Sequence, residues 1–164
     1  MKIRILFIIF NLIFFKLFVF PDLPIQGKNL EISAARARFE LLNAAESYLG
    51  TPYRMGGLDQ RGLDCSGLVF SSFRDALDIT VPRTSERLYT WTMKIPSDDL
   101  QPGDLVFFTT AEQRISHVGI FVGEGRFIHS QSQGNLTGVM YSHLNEAYWR
   151  RTFAGAGRAL PWDD

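Results

Sequence analysis

The sequence contains a single cysteine, Cys65 in the stretch "LDCSG", and three histidines, His117, His129 and His143. Catalysis by cysteine requires a base that takes the thiol proton and a further polar group that orients that base. His117 and His129 lie in the neighbouring strand-like stretches "HVGIFVG" and "RFIHS", so they could supply both groups. The residue types therefore point to nucleophilic chemistry with Cys65 as the nucleophile.

Whether His117 and His129 can meet depends on how their two stretches pair. The turn residues "GEG" between them indicate a β-hairpin, in which side chains alternate between the two faces of the sheet. A three-residue loop with Val122 opposite Arg126 would place both histidines on the same face as near neighbours. A two-residue loop would place them on opposite faces. The register of this hairpin decides whether the two histidines interact.

A helix beginning at Cys65 would favour a thiolate there. The stretch "SGLVFSSFRDAL" has helical spacing of apolar residues, and Asp64 stands where an N-cap is expected. The free N–H groups and the positive end of the helix dipole stabilise an anion, so we expect a lowered pKa for Cys65. The same N–H groups are candidates for an oxyanion hole.

Two plainer interpretations of these residues remain open at this stage. A lone cysteine is among the most frequently buried residues and is then inert, and each histidine could be a satisfied side chain of a half-buried strand. His143 in "YSHLNEAYW" has only this second interpretation to support it. One cysteine and two histidines could also provide three zinc ligands, but no C-x-x-C or H-x-x-x-H spacing supports a metal site. We therefore predict no metal and no cofactor.

The elements that would position these residues follow in the order helices first, strands second. A helix is predicted from Ser33, a plausible N-cap, to Gly50, and a loop, "TPYRMGGLDQRGLD", leads to the helix at Cys65. After "VPRTSERLYTW" the texture changes to short β-rich runs separated by turn residues. The predicted strands are "GDLVFF", "HVGIFVG", "RFIHS", "GVMYSHL" and the weaker "FAGAGRAL". This order predicts an α+β fold with helices packed on an antiparallel sheet.

The N-terminus differs in composition from the rest of the 164-residue chain. Residues 1–20 begin with Lys2 and Arg4 and continue as an apolar run broken only by Asn11 and Lys16, which is typical of an export signal or an N-terminal anchor. We assign residues 1–20 to that signal or anchor, residues 21–32 to a tether and residues 33–164 to one domain. The 17 basic residues balance the 17 acidic ones, so no basic surface for nucleic acid is expected.

Several stretches together resemble the successive sequence blocks of the NlpC family of papain-like cell-wall endopeptidases. They cover about residues 40–160 and occur in the family's order. The blocks are "YLGTPYRMGGLDQRGLDCSGLVFSSF", "VPRTS", "LQPGDLVFF", "SHVGIFVGEGRFIHS" and "YWRRTFAGAGRAL". The resemblance implies a papain-like α+β fold, with N-terminal helices, one carrying the cysteine at its N-terminus, on a central antiparallel sheet.

The resemblance also implies a role for individual residues. Cys65 would be the nucleophile, His117 the base, and His129 the third polar residue, which orients the imidazole of His117. The substrate-binding set that the resemblance implies comprises Tyr53, as a helper of the oxyanion hole, and Asp64 and Ser66, which would bind the free amino end of a stem peptide. Met55 departs from the family pattern, in which tryptophan is usual, and would reshape one wall of the cleft.

The expected function is that of an exported cysteine endopeptidase acting on peptidoglycan stem peptides at the bond between D-glutamate, through its γ-carboxyl, and a diamino acid. Its location would be the periplasm or cell envelope, with membrane contact only through an uncleaved N-terminal segment. Two alternatives remain: an amidase or acyltransferase with the same cysteine and histidine, and a catalytically idle cell-wall binding module. No region resembles a separate cell-wall binding domain, so targeting would depend on the N-terminus or a partner.

Overall fold

The computed structural model describes residues 25–110, 114–134 and 137–159, with side chains from residue 33 onward. Within these ranges the chain forms four α-helices and a short 3-10 helix at Ser97–Asp99. The helices are α1 (Ile25–Glu46), α2 (Cys65–Leu77), α3 (Ser85–Trp91) and α4 (Ala147–Thr152). None of the helices in the described ranges is both long and apolar enough to cross a membrane. The predicted signal or anchor at residues 1–20 lies outside the described residues.

Most strands of the described residues join one antiparallel sheet, with the order β3-β8-β4-β5-β6-β7. A separate two-stranded ribbon, β1 and β2, lies in the loop before α2. The strands are β1 (Leu58–Asp59), β2 (Gly62–Leu63), β3 (Met93–Ile95), β4 (Leu105–Phe108), β5 (His117–Gly123), β6 (Arg126–Gln131), β7 (Gly138–His143) and β8 (Phe153–Arg158). The predicted α+β fold, with helices on an antiparallel sheet, is confirmed.

Each face of the large sheet packs against a different cluster of side chains. On β4, Leu105 and Phe107 belong to the cluster formed with α1 and α2, whereas Val106 and Phe108 belong to the second cluster, which contains Trp149 of α4. Because side chains of a strand alternate between faces, a strand covered on both sides is apolar throughout, and all four β4 residues are buried. We call the first face the helix side and the second the aromatic side.

The start of α2 is fixed by the side chain that was predicted to cap it. Asp64 has extended backbone angles, and its carboxylate accepts a hydrogen bond from the Gly67 N–H. An N-cap of this kind satisfies one of the free N–H groups of the first turn and stabilises the helix by about 1 kcal/mol. The prediction that a helix begins at Cys65 is confirmed, and this start places the thiol at the first helical position.

The N-terminal part of the chain differs from the expectation. Helix α1 begins at Ile25, so Ser33 lies inside the helix and is not its N-cap, and part of the predicted tether at residues 21–32 is helical. The helix also ends at Glu46, before the predicted Gly50, which adopts a left-handed backbone with φ 80°. The single residue Gly27 does not stop a helix, because it costs only about 1 kcal/mol relative to alanine.

Candidate active site

The β5–β6 hairpin brings His117 and His129 into direct contact. His117 Nε2 lies 2.9 Å from His129 Nδ1, which is hydrogen-bonding distance. Of the two loop lengths that the sequence left open, the turn has the shorter one, because Gly123 lies opposite Arg126. A β-bulge at Val122 adds an unpaired residue that restores the alternation, so both imidazoles point to the aromatic side. The two histidines therefore share a face although the loop has two residues, because the bulge was not considered in either alternative.

Gly119, which lies on β5 two residues after His117, leaves the space that His117 and His129 need for their contact. A β-carbon on Gly119 would lie 2.6 Å from the Phe127 ring and 3.3 Å from the His129 β-carbon. The first distance is far below van der Waals contact, and both atoms belong to side chains already confined by packing. Any larger residue at Gly119 would therefore displace Phe127 or His129.

Aromatic rings enclose both imidazoles. The indole of Trp149 stacks on His117 at 5.2 Å between ring centroids and meets His129 edge-on at 4.8 Å. Phe108 and Phe127 contact the same rings from the sheet. His129 has no exposed surface, and His117 is nearly as buried. The two histidines thus lie in an apolar pocket with their hydrogen bonds directed to each other.

This pocket keeps both imidazoles neutral. Burial lowers the pKa of His117 to about 4, because the charged form loses its hydration there. Burial also lowers the pKa of His129 well below its usual value, and a positive charge on His117 would lower it further. At neutral pH the resting site therefore holds two uncharged imidazoles.

Cys65 reaches the site from the helix side. Its thiol is partly exposed, and the backbone N–H of Val118, the residue after His117, is directed at the sulfur. The N–H groups of Cys65 and Ser66, in the first turn of α2, also face it. Helix α2 packs directly on β5, which carries His117. The structure thus brings the predicted nucleophile to the strand end where the predicted base begins.

The expected low pKa of Cys65 is wrong for the thiol in the resting protein, where His117 carries no charge. Burial raises the pKa of Cys65 to about 11, and the nearby charge of Asp64 adds to this effect. The three backbone N–H groups lower the pKa but do not offset the loss of hydration. The imidazolium of His117 loses its extra proton near pH 4, and the Cys65 thiol loses its proton near pH 11. Between these values, one proton is available to be carried either by the Cys65 sulfur or by the second ring nitrogen of His117.

The position of the nucleophile is held by an ion pair beneath it. Arg83 donates from Nη1 to Asp64 Oδ1 at 2.7 Å and from Nη2 to Asp64 Oδ2 at 2.8 Å. Ser66 Oγ donates to Asp64 and accepts from Arg83. The backbone N–H groups of Gly56 and Gly67 complete the donors around the carboxylate. Asp64 and Ser66, predicted to bind a substrate amine, thus lie beside the nucleophile with most of the carboxylate's hydrogen-bonding capacity in use.

Several donors therefore compete with burial for control of the Asp64 carboxylate. Burial alone raises the pKa of Asp64, but the hydrogen bonds from Arg83 and from the Gly67 and Gly56 backbones outweigh it and leave the pKa lowered. Gly67 permits the close packing of this loop, since a β-carbon there would lie 2.2 Å from the Gly57 carbonyl oxygen. The loop before α2 and the start of the helix consequently form one rigid unit.

The remaining predicted site residue, Tyr53, lies near the nucleophile. Burial raises the pKa of Tyr53, and the charges of Cys65 and Asp64 raise it further, so its hydroxyl is protonated and can donate. That hydroxyl contacts the sulfur of Met55 at 3.8 Å. Met55, where the resemblance predicted a tryptophan, is 79% exposed. Its side chain is therefore open to solvent beside the site.

His143 lies apart from the other two histidines, opposite Arg126 at the far end of β7, where its Nδ1 accepts the Asn145 N–H. Among the residues that the structure describes, no group of three or more histidine, cysteine and acidic side chains could hold a metal ion.

Sequence reasoning missed three residues that the structure places in the site: Arg83, Ser142 and Trp149. Ser142 Oγ lies 3.1 Å from His129 Nε2, on the side away from His117. Arg83 and Trp149 lie in the quoted blocks "VPRTS" and "YWRRTF", but neither residue type is itself reactive, so the search for reactive groups passed over both.

A thiol at a helix N-terminus, an imidazole at the start of a neighbouring strand and a second imidazole behind it are the groups that a cysteine hydrolase requires. The comparisons with known proteins agree. The model of the NlpC/P60 family matches residues 50–158, so the chain belongs to this family.

The curated relatives carry endopeptidase or hydrolase names. The chain is 43% identical over 114 residues to "Probable endopeptidase NlpC" of Escherichia coli, covering 69% of this chain and 72% of that protein. It is 37% identical over 136 residues to "Gamma-DL-glutamyl hydrolase" of Bacillus subtilis, covering 82% of this chain but 32% of that protein. It is 39% identical over 123 residues to "Murein DD-endopeptidase MepH" of Escherichia coli, covering 73% and 45%. The family and these relatives make the chain an endopeptidase-type hydrolase.

Solved structures share the fold. An NlpC/P60 family protein from Bacillus cereus superimposes with a TM-score of 0.69 at 32% identity, covering 76% of this chain and 40% of that one. The NlpC/P60 domain of the peptidoglycan hydrolase SagA superimposes with a TM-score of 0.64 at 25% identity, covering 77% and 98%. The papain-like arrangement expected from the sequence is confirmed.

Proposed function

We propose that the protein is an exported cysteine endopeptidase that hydrolyses peptidoglycan stem peptides at the bond between the γ-carboxyl of D-glutamate and a diamino acid. Cys65 is the nucleophile, His117 the general base and acid, and His129 the group that orients His117. The observation that carries the proposal is the hydrogen bond between His117 and His129 at the strand end where Val118 meets the Cys65 thiol.

The state of the Cys65–His117 pair supports a proton transfer within the site. Cys65 and His117 share one proton between about pH 4 and pH 11, so the proton that leaves sulfur has a neutral imidazole to receive it. Burial disfavours each separate charge, but thiolate and imidazolium appear together and stabilise each other. A binding module would not require a buried pair of imidazoles beside a thiol, which argues against the idle alternative.

The reaction proceeds through an acyl-enzyme. As His117 takes the thiol proton, the Cys65 sulfur attacks the amide carbonyl carbon, and the N–H groups at the start of α2 stabilise the developing oxyanion. His117 then gives its proton to the leaving amine, the C–N bond breaks and a thioester remains. Water attacks the thioester while His117 takes its proton, the C–S bond breaks, and the returned proton restores the thiol.

The substrate assignment draws on the relatives' names. The relatives named "Gamma-DL-glutamyl hydrolase" and "Bifunctional muramidase/DL-endopeptidase CwlT", both of Bacillus subtilis, are similar to this chain over 82% and 72% of its length. The first name points to a γ-glutamyl bond, and the second names a DL-endopeptidase. A thiol protease acting on such a bond matches the site, because the acyl-enzyme route needs only an accessible carbonyl.

One observation favours a second candidate bond. "Murein DD-endopeptidase MepH" is 39% identical to this chain, which is close to the identity of the glutamyl hydrolase. The second candidate is therefore the cross-link between two stem peptides, cut by the same residues.

Mass spectrometry of defined muropeptides distinguishes the two bonds. The purified protein is incubated with a disaccharide tetrapeptide and with its cross-linked dimer, and Cys65→Ala serves as the inactive control. Cleavage at the γ-glutamyl bond shortens the monomer to a disaccharide dipeptide. Conversion of the dimer to intact monomers, with no shortened product, would replace the proposal by the cross-link reaction. If neither substrate changes but other amides or esters are cleaved, the amidase or acyltransferase alternative is correct.

Export is tested separately with the N-terminal segment. Residues 1–20 combine Lys2 and Arg4 with an apolar run, so a fusion of residues 1–35 to a reporter that works only outside the cytosol should be active. A matched fusion with Lys2 and Arg4 replaced by glutamate tests the role of the positive charges. Activity of a reporter that works only in the cytosol would contradict export.

A further inference from the structure

Ser142 ends a row of polar atoms that starts at His117. His117 Nε2 faces His129 Nδ1 at 2.9 Å, and His129 Nε2 faces Ser142 Oγ at 3.1 Å. On the paired strands β6 and β7, Ser142 lies opposite Phe127 and therefore diagonal to His129, on the same face of the sheet. Since His129 occupies His117 Nε2, the nitrogen left for Cys65 is His117 Nδ1.

Only two proton arrangements fit this row when both imidazoles are neutral. Each neutral ring has one N–H and one lone pair, and two lone pairs or two N–H groups cannot face each other at 2.9 Å. In the first arrangement, both rings carry the proton on Nε2, so His117 donates to His129, and His129 donates to Ser142. In the second arrangement, both rings carry it on Nδ1, and Ser142 donates inward.

The two arrangements differ at the thiol. In the first, His117 Nδ1 has a lone pair that accepts the Cys65 proton, and the imidazolium that results still donates to His129. In the second, His117 Nδ1 already carries a proton, so it cannot act as a base. A hydrogen-bond acceptor at Ser142 therefore acts through His129 and favours the His117 tautomer with the proton on Nε2, which leaves Nδ1 free to accept the Cys65 proton.

We propose that Ser142 is a positioning residue that accepts a hydrogen bond from His129 Nε2–H and thereby holds His117 in the tautomer that can deprotonate Cys65. The inference deepens the proposed function and rests on it, because it assigns to His117 the part of the base. Removing the hydroxyl leaves an unsatisfied N–H in the first arrangement but only an unsatisfied lone pair in the second. Buried donors without partners are costly, so Ser142→Ala should shift both rings toward the second arrangement.

Nuclear magnetic resonance of the full-length protein labelled with nitrogen-15 reads the tautomers directly from the ring nitrogen shifts, without substrate. We expect Nε2–H on both His117 and His129 in the wild type, and a shift of both rings toward Nδ1–H in Ser142→Ala. Ser142→Thr keeps the hydroxyl and should restore the wild-type spectrum. Tyr141→Phe is the matched control, because it removes a hydroxyl from the preceding residue of β7. The Tyr141 hydroxyl donates to Glu46 and not to either imidazole.

Turnover of muropeptides supplies the second readout. Ser142→Ala should lower kcat roughly three- to tenfold, the effect of one lost hydrogen bond, with KM unchanged. Nδ1–H on His117 in the wild type, or Nε2–H retained on both rings in Ser142→Ala, would overturn the inference. If the spectra behave as expected but the wild type cleaves no muropeptide, the tautomer role of Ser142 is supported and the proposed substrate is wrong.

Discussion

The two sides of the central sheet make different contributions to the site. The helix side carries Cys65 at the start of α2, beside the partly buried ion pair of Asp64 and Arg83. The aromatic side carries His117 and His129, which are enclosed by aromatic rings. On the helix side, fixed hydrogen-bond donors stabilise the charge of the Asp64 carboxylate. On the aromatic side, burial away from water keeps the imidazoles uncharged.

The difference shows how a partly buried thiol and a buried imidazole can work together. Neither group is ionised by its own surroundings, since burial raises the pKa of Cys65 to about 11 and lowers the pKa of His117 to about 4. The proton is exchanged only where the two sides meet. Separate variants on each side should therefore fail in different ways, and the following predictions begin with the largest effect.

Removing either reacting group should abolish turnover. Cys65→Ala deletes the proposed nucleophile, and His117→Ala deletes the proposed base, so each should lower kcat more than about 10⁴-fold, as expected for groups that act as a unit. The double variant should be no worse than either single one. His143→Ala, a histidine outside the site, is the matched control and should keep wild-type rates. Cleavage by Cys65→Ala would contradict the assigned nucleophile.

Loss of the second imidazole should leave measurable activity. In the proposed mechanism His129 orients His117 without touching the substrate, so His129→Ala should lower kcat roughly 10²- to 10⁴-fold. Progress curves with excess enzyme would measure the remaining rate. A variant as inactive as His117→Ala would mean that His129 takes part in the proton transfer itself.

Alkylation of Cys65 by iodoacetamide tests whether the two sides share a proton. In His117→Ala the thiol must ionise without a base, against a pKa that burial raises, so its rate should rise steeply with pH and stay below the wild-type rate at pH 7. The wild-type rate should change little between pH 6 and 8. Identical pH profiles for the two proteins would show that His117 does not accept the thiol proton.

Acid should destabilise the aromatic side first. The unfolded chain protonates His117 near pH 6.5 and the folded chain near pH 4, so the unfolded state binds more protons in this window. The free energy of unfolding should therefore decrease as pH falls from 6.5 to 4, by about 3 kcal/mol for His117. The lowered pKa of Asp64 matters only below its usual value of 3.8.

Urea unfolding at several pH values measures that decrease. His129→Gln removes one of the two titrating imidazoles, so the slope against pH should fall to about half, whatever the variant's stability at neutral pH. An unchanged slope would show that His129 is protonated or solvated in the folded protein.

The smallest effect is expected for the amino end of the substrate. Peptides with a free N-terminal L-alanine should be cut faster than peptides still joined to glycan, and Asp64→Asn should reduce this ratio. Since Arg83 already binds Asp64, we expect a few-fold change, below the 1.5 to 3 kcal/mol of a full charge-assisted bond. Asp59→Asn, an acidic residue of the same loop paired with Arg61, is the control. Equal rates on both substrates would contradict the proposed contact.

Local patterns in the sequence predicted most of the fold. The N-cap at Asp64, the helix after it and the five strand stretches all follow from short-range spacing, and the structure confirms them. Helices α3 and α4 and strand β3 were not predicted. They are short, and short elements have too few residues to show a period.

The sequence predicted the site residues whose side chains are themselves reactive. It did not predict the residues that reach the site only through the pairing of distant strands and the packing of helices. Cys65, His117 and His129 could be found from their reactive groups. Ser142 reaches His129 because β7 pairs with β6, and Trp149 reaches His117 because α4 packs on the aromatic side of the sheet. Neither the strand pairing nor the helix packing can be predicted from a local sequence pattern. The bulge at Val122 was missed for the same reason.

That bulge has a practical consequence for protein engineering. Buried neighbours such as Ile120 and Ile128 hold the hairpin in register, and the turn adapts its own length to them. Glu124, at the tip, has a left-handed backbone and an exposed side chain. An epitope or a fluorescent label inserted between Glu124 and Gly125 would therefore extend from the end of the hairpin without separating the two histidines. The turn is a natural attachment point for following the enzyme on its polymer.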